Sequence, residues 1–152
     1  MQVTRAGEYA IIGLSYLAKQ PVDRIVMIDE ISETEGIPKS FIAKIFQSLA
    51  KAGIVRSNRG AGGGFSLAKR SCDITLLQIL QIVEGAFALQ KCVSDDPECV
   101  VSTTRMSHCT LCAVFGEAQS RVNEVFARTT LADLLNPKPQ FAHDVKVTTP
   151  VN

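Results

Sequence analysis

The run Arg59-Gly60-Ala61-Gly62-Gly63-Gly64-Phe65 decides the fold, because it places four glycines within five residues between two short β-type segments, 54–57 and 65–67. Glycines at such a tip supply positive φ angles and let the backbone approach another chain closely. A phosphate-binding loop of a nucleotide enzyme fits poorly, since no Gly-Lys-Ser/Thr follows and the glycines lie between strands instead of before a helix. The sequence therefore predicts a two-stranded hairpin with this run at its tip.

Two helices are predicted before the hairpin. The first, over 29–34, stops at Gly36, and the second begins with Pro38, whose missing N–H is not needed in a first helical turn. One side of the second helix is apolar: Phe41, Ile42, Ile45, Phe46 and Leu49. The other side is small, polar or basic: Ser40, Ala43, Lys44, Gln47 and Lys51. Such a face suits a DNA major groove, although a solvated basic face has the same pattern.

Basic and acidic residues are distributed unevenly along the chain. From Gly36 to Cys72 there are seven Lys or Arg and no Asp or Glu, while the whole chain has a net charge of only +1. A segment that keeps positive and excludes negative charge is typical of a nucleic-acid surface, and Arg59 at the hairpin tip suits a narrow minor groove. The candidate DNA-contacting residues are Lys39, Ser40, Phe41, Lys44, Gln47, Arg56, Arg59, Gly60, Gly62 and Gly63.

Further helices are predicted on either side of this unit. Residues 4–20 form the first helix, 75–84 a buried helix closed by Gly85, and 86–108 an irregular loop. From Cys109 onward a long helix carries an apolar seam spaced 4, 3, 4, 3, which favours pairing with a second copy over packing within one chain. The seam consists of Leu111, Phe115, Ala118, Val122 and Val125. Thr130 is expected to cap a short helix over 131–135.

The predicted fold is mainly α with a small β-wing: a winged helix-turn-helix plus a long dimerisation helix. One unit spans 1–136, with a DNA-binding part over 1–72 and the irregular loop and dimerisation helices over 73–136. Residues 137–152, which contain three prolines, are expected to form a flexible tail. No segment resembles a membrane span or a signal peptide, so a cytoplasmic location is expected.

Four of the five cysteines cluster: Cys92, Cys99, Cys109 and Cys112. In a reducing compartment such a group indicates metal ligation or redox sensing more than disulfides. Zinc and an iron-sulfur cluster both fit, although uneven gaps and one tight pair make a zinc ribbon the weaker choice. Reduced structural cysteines remain an alternative. Cys72 lies outside the group and is expected to be a small buried residue.

Several motifs together resemble the Rrf2 type of bacterial winged-helix regulators, the IscR/NsrR family, which includes iron-sulfur and nitric oxide sensors. The resemblance covers about residues 2–136 and is most specific in the glycine-rich wing. The motifs are Glu35-Gly36-Ile37-Pro38, Ala52-Gly53-Ile54-Val55, the wing continued through Phe65-Ser66-Leu67-Ala68, Ile74-Thr75-Leu76 and Val83-Glu84-Gly85.

The resemblance implies a homodimer with a recognition helix in the major groove, a wing in the minor groove, and a cluster held by Cys92, Cys99 and Cys109. For the fourth ligand it offers Cys112, which stands where IscR has a histidine, or Glu8 of the partner subunit, which matches an acidic ligand of NsrR-like relatives. Cys112 is favoured, because a fourth thiolate suits iron. The spacing of the cysteines is longer than is usual in the family.

Two departures affect the recognition face. Ala43 replaces a Glu found in some relatives, which removes a carboxylate that accepts from cytosine, and Phe41 replaces a common Tyr. Operator preference therefore does not transfer from the family.

The sequence thus predicts a non-enzymatic, dimeric regulator of double-stranded DNA, controlled by a 4Fe-4S or 2Fe-2S cluster that senses iron-sulfur status, nitric oxide or redox state. A cluster-free switch using Cys109 and Cys112 as a disulfide is the alternative within this class. A small iron-sulfur electron carrier is the alternative from another class, but it leaves the basic helix and wing without a role.

Overall fold

A computed structural model describes residues 3–60, 62–86, 88–89, 93 and 109–136. In chain order the elements are α1 (Arg5–Ala18), α2 (Ile28–Glu35), α3 (Lys39–Lys51), β1 (Val55–Asn58), β2 (Gly64–Leu67), α4 (Leu76–Glu84), α5 (Thr110–Arg128) and α6 (Leu131–Leu135). The predicted class, mainly α with a small β-wing, is confirmed. Within the described ranges no helix is both long and apolar enough to span a membrane.

The turn between α2 and α3 is built around Gly36 and Pro38. Gly36 ends α2 with φ +65°, a left-handed conformation that glycine adopts without a steric penalty. The carbonyl of Pro38 accepts from the N–H of Phe41 at 3.0 Å and of Ile42 at 3.2 Å, so Pro38 caps α3 and lies one residue before its first turn. Ile37, 2% exposed, anchors the turn in the core. The geometry is that of a helix-turn-helix.

The wing contains a third segment, at Val26, in addition to the two strands of the predicted hairpin. β1 and β2 pair antiparallel with Val55 opposite Leu67 and Asn58 opposite Gly64. Val26 forms a bridge to Phe65 through two hydrogen bonds, from Val26 N to Phe65 O at 2.9 Å and back at 2.8 Å. Ile25 and Val26 are β-branched, as strand residues often are, but only two strands, 54–57 and 65–67, are predicted from the sequence. The bridge ties the wing to the start of α2.

One core cluster joins α1, α3, the wing and the C-terminal helices. Phe46 is fully buried and meets Phe65 edge to face at 5.2 Å. Gly13 lets α1 approach α3 closely, since a Cβ there would lie 2.8 Å from both Ile42 and Phe46. The cluster also contains Ile74, Ile79 and Leu131 from the second half of the chain. The core is therefore continuous across residue 72.

The starts of α4 and α6 hold each other in place. Thr75 and Thr130 cap these helices with capping boxes to Gln78 and Asp133. They also form a β-bridge, flanked by a hydrogen bond from Leu131 N to Ile74 O at 2.8 Å. The predicted cap at Thr130 is confirmed. Because α6 begins on this bridge, the C-terminal end of α5 is fixed to the core.

Two burial predictions were wrong. Of the apolar run in α4, only Ile79 and Leu80 are buried, since one side of a helix this short reaches the core. Cys72 is exposed in the 3-10 turn Ser71–Asp73, where its sulfur accepts hydrogen bonds from Arg70 at 2.9 and 3.2 Å. That turn lies at the surface between the wing and α4.

Candidate functional site

The outer face of α3 carries the predicted polar and basic groups in the open. Lys39, Ser40, Lys44 and Gln47 are exposed, while Ile42, Ile45, Phe46 and Leu49 on the opposite side are buried. Lys39 pairs with Asp29 at 2.5 Å. Lys44 forms no ion pair with any residue that the structure describes. Lys44 therefore keeps its whole charge for an external anion.

Phe41 is set apart from the apolar side to which the periodicity assigns it. Its side chain is 58% exposed and its ring meets Tyr9 of α1 edge to face, with centroids 6.5 Å apart. The contact holds this exposed ring against α1. Phe41 thus adds apolar surface to the recognition helix and links that helix to α1.

The wing tip needs glycine at defined places. Gly60 has φ +117°, which a residue with a Cβ rarely adopts. Gly63 donates its N–H to the carbonyl of Gly60 at 2.9 Å, and a Cβ on Gly63 would lie 2.7 Å from Asn58 O. A Cβ on Gly62, in contrast, would meet open space. The tip is a tight turn with one glycine left free to approach a ligand.

The two wing arginines occupy different environments. Arg59 is exposed next to Gly60, and it forms no ion pair among the described residues. Arg56 lies further back on β1, with Nη1 3.8 Å from Asp23 Oδ1. Arg59 is therefore the wing cation that the structure leaves for a polyanion at the tip.

Two of the four predicted cysteine ligands meet at the start of α5. Cys109 is the N-cap residue and Cys112 lies one turn later. The backbone N–H of Cys112 is the main cause of a pKa of Cys109 below its ordinary value, and the Cys112 thiol is the second cause. Thiolates are stabilised in this way at helix N-termini. The arrangement favours metal binding or thiol chemistry at Cys109.

The described part of the preceding loop runs along α5 toward these cysteines. Leu89 donates its N–H to Gln119 Oε1 at 2.7 Å. Four residues on, Val93 lies beside Gly116, since a Cβ on that glycine would be 3.9 Å from Val93 Cγ1. Gln119, only 7% exposed, is held in turn by Asn123 at 2.9 Å. The predicted ligands Cys92 and Cys99 lie outside the described residues.

The family is established by comparison with known proteins. Residues 3–137 match the model of a family described as Rrf2, iron-dependent transcriptional regulator. The chain belongs to the Rrf2 family of transcriptional regulators. The resemblance inferred from the wing and its flanking motifs is thereby confirmed.

Individual Rrf2 relatives cover most of the chain. A protein of Aquifex aeolicus named as an HTH-type transcriptional regulator is 36% identical over 128 residues, covering 84% of this chain and 87% of its own. The regulator IscR of Vibrio cholerae is 29% identical over 135 residues, covering 89% and 75%. Among solved structures, CymR, the global cysteine regulator of B. subtilis, superimposes with a TM-score of 0.72 at 25% identity, covering 91% and 98%.

The acidic alternative ligand of this Rrf2 chain lies in the first turn of α1. Glu8 is exposed and forms no ion pair with any described residue. Within the described ranges, no group of three or more His, Cys, Asp or Glu side chains is close enough to hold a metal ion.

One residue with a clear role escaped the sequence interpretation. The sequence motif Val83-Glu84-Gly85 assigns no contact to Glu84, yet its carboxylate holds the start of α1. Its position directly before Gly85, where the loop begins, was the available signal. Glu84 connects the end of α4 to the start of α1.

Proposed function

We propose that this Rrf2 chain is a dimeric regulator that binds double-stranded DNA through α3 and the wing and responds to an iron-sulfur cluster held by Cys92, Cys99, Cys109 and Cys112. The observation that carries the proposal is the Cys109–Cys112 pair at the start of α5. The backbone N–H of Cys112 lowers the pKa of Cys109, and the thiolate is the form of cysteine that binds iron.

The described flank of the loop fits this ligand set. Val93 lies beside Gly116, one helical turn from Cys112. The described part of the loop therefore approaches the end of α5 that carries Cys109 and Cys112. The chain also has donors of the right type, since thiolates are the usual ligands of such clusters. When bound, the cluster supplies a centre that oxygen, nitric oxide or iron shortage can destroy.

Dimerisation through α5 is supported by the exposure of its apolar residues. In this helix of 19 residues only Gln119 is buried, while Leu111 and Val114 are 58% and 59% exposed. An apolar helix face without cover from its own chain favours association. Val114 extends the predicted seam, because it lies one turn from both Leu111 and Ala118. Two copies paired in this way would present two reading heads to DNA.

A path of direct contacts leads from the end of α4, where the loop after Gly85 begins, to the DNA-binding part formed by α3 and the wing. Glu84, at the end of α4, bonds to Thr4 at the start of α1. From α1, Tyr9 contacts Phe41, and Gly13 lies against Ile42. A shift of the loop after Gly85 would therefore move α1 and α3 together. Because α5 would join the two subunits, a movement of α5 would change the distance between their two DNA-binding parts.

A thiol switch without a cluster is the second candidate. The lowered pKa of Cys109 favours it, as does the likeness to CymR. A peroxide would oxidise the Cys109 thiolate to a sulfenic acid, and the Cys112 thiol would then displace water to form a disulfide. This scheme uses two cysteines only. It predicts that Cys92 and Cys99 are dispensable for the response.

Anaerobic purification of single variants separates the two candidates. With a cluster, visible absorbance should be present, should be lost in Cys92→Ala, Cys99→Ala and Cys109→Ala, and should persist in Cys72→Ala as the matched control. Loss in Cys112→Ala but not in Glu8→Ala identifies the fourth ligand as Cys112, and the reverse identifies Glu8 of the partner subunit. Colourless protein whose DNA binding responds to peroxide in Cys92→Ala would establish the thiol switch instead.

A further inference from the structure

A cavity of about 650 Å³ lies between the end of α1 and the wing, outside the recognition helix and the cysteine group. Its lining includes Leu17 and Ala18 of α1, Pro21 and Val22 of the turn that follows, and Leu67 and Ala68 at the end of β2, all of which are apolar. Sites for small organic molecules are usually of about this volume, with apolar walls and a few polar groups. The cavity is thus large enough for a metabolite of modest size.

The rim of the cavity is cationic. Arg24 is already paired with Glu30 at 2.9 Å, but the other three basic side chains of the lining, those of Arg56, Lys69 and Arg70, face only two lining carboxylates, those of Asp23 and Asp73. This excess of positive charge favours an anion.

The basic groups are only partly neutralised by these carboxylates. Arg56 lies 3.8 Å from Asp23 and Arg70 lies 3.7 Å from Asp73, which is beyond the roughly 2.7–2.9 Å of a charge-assisted hydrogen bond. Lys69 is exposed and forms no ion pair within the described part of the chain. Arg56 and Lys69 therefore retain donors for a ligand.

The turn that closes one side of the cavity has an uncommon backbone. Asp23 has φ +64°, the only positive value at a non-glycine residue among those described. Such conformations concentrate at ligand sites, where the surrounding structure holds them. Here the turn is held by Arg24, whose N–H donates to Pro21 O at 3.1 Å and whose guanidinium pairs with Glu30 at 2.9 Å. The turn keeps Asp23 opposite Arg56.

We propose that this cavity binds a small organic anion, with its acidic group at Arg56 and Lys69 and its apolar body over Leu17 and Ala68. Arg56 lies opposite Ser66 in the wing sheet, and Ser66, only 7% exposed, also lines the cavity. An occupant therefore contacts both wing strands. It provides an input to the DNA-binding head that is independent of the cysteines.

The test is a titration of ¹⁵N-labelled full-length protein with phenyl phosphate as the probe. Saturable shifts are expected for amides of 17–24 and 66–71, with inorganic phosphate and benzyl alcohol each binding more weakly. Lys69→Ala should raise the Kd about threefold, as for loss of one exposed ion pair. Lys19→Ala is the matched control, since Lys19 is exposed next to Ala18 but does not line the cavity. It should leave the Kd unchanged.

Four outcomes would overturn the proposal. The first is absence of saturation at roughly 10 mM probe, which is about ten times the Kd of roughly 1 mM that is typical of a weak ligand. The second is equal affinity for inorganic phosphate, which indicates an adventitious ion only. The third is an equal effect of Lys69→Ala and Lys19→Ala. The fourth is that a DNA duplex alone shifts the amides of 17–24 as strongly as those of α3, which would make these cations contacts to the DNA backbone.

Discussion

The carboxylate of Glu84 accepts two hydrogen bonds from Thr4, from its backbone N–H at 2.9 Å and from its hydroxyl at 3.1 Å. The same Thr4 hydroxyl caps α1 by accepting from Gly7 N. A negative charge at the N-terminus of a helix is favourable, because unpaired N–H groups and the helix dipole are directed at it. Glu84 therefore connects the last turn of α4 to the first turn of α1, across 80 residues of sequence.

Removing the charge of Glu84 should weaken this connection. Glu84→Gln keeps the size of the side chain but replaces two charge-assisted hydrogen bonds by neutral ones. We expect the free energy of unfolding to fall by about 0.5–1 kcal/mol, measured in urea. Glu33→Gln on α2 makes the same change at an exposed site and should have little effect. Equal stability of the two variants would contradict the role assigned to Glu84.

The turn and capping preferences of individual residues predicted the wing and the helix ends well, because each of these features depends on a few residues that are close in sequence. The glycine-rich hairpin, the turn at Gly36 and the cap at Thr130 all stand where the sequence placed them. The bridge between Val26 and Phe65 was not predicted, since it joins segments far apart in sequence. Gly64 is required there, because a Cβ would lie 2.3 Å from Val26 O.

The errors at Phe41 and Cys72 have simple physical causes. Successive helical residues are about 100° apart, so Phe41, directly before Ile42, lies at the edge of the apolar face and not within it. Cys72 is small and its sulfur accepts hydrogen bonds, so the nearby Arg70 holds it at the surface. The grouping of four cysteines as ligands stays a prediction, because the structure describes only Cys109 and Cys112 of them.

Arg59 is expected to supply affinity from the wing tip. Because it is exposed and unpaired among the described residues, Arg59→Ala should weaken binding of the operator by ~1–3 kcal/mol, as does loss of a good groove contact. Fluorescence anisotropy with labelled operator DNA measures this. Arg121→Ala on α5, where Arg121 pairs with Glu117, is the control and should bind normally. Unchanged affinity of Arg59→Ala would remove the wing tip from the interface.

Lys44 is expected to contact phosphate. Lys44→Ala should weaken binding to all DNA sequences alike and reduce the magnitude of the slope of log K against log salt by about 0.9 per site. Lys39→Ala should have a smaller effect, because Asp29 already pairs with that ammonium group at 2.5 Å. Binding measured over a range of salt concentrations gives both slopes. A loss confined to one base position would make Lys44 a base reader.

Val114 should be required for the dimer. Its side chain is 59% exposed in the single chain, so Val114→Asp should leave the fold intact but place an unpaired charge in a dimer seam formed by α5. Sedimentation should then report monomers, with much weaker DNA binding. Ser120→Asp introduces the same charge at an exposed position on the opposite side of α5 and should remain dimeric. A dimer in both variants would place the interface elsewhere.

Cys109 should be reactive at lower pH than an ordinary thiol. The backbone N–H of Cys112 makes the largest contribution to its lowered pKa, ahead of the Cys112 thiol. A chain in which Cys109 is the only cysteine, with alanine at the other four positions, keeps that N–H. The rate of alkylation by iodoacetamide follows the thiolate fraction. The midpoint of the alkylation rate plotted against pH should therefore lie at lower pH in the folded apoprotein than in the same chain unfolded in urea.

Restoring Cys112 tests the smaller contribution to the lowered pKa of Cys109, which comes from the Cys112 thiol. Peptide mass spectrometry then measures the alkylation of Cys109 separately from that of Cys112. The return of its thiol donor should move the midpoint for Cys109 further down, by less than the difference between unfolded and folded protein. The pKa of Cys109 falls because a donor to the sulfur favours its charged form, so the thiolate persists to lower pH. Identical midpoints in folded and unfolded chains would mean that the start of α5 does not activate Cys109. The thiol switch would then lose its main support, while metal binding would rest on the spacing of the cysteines alone.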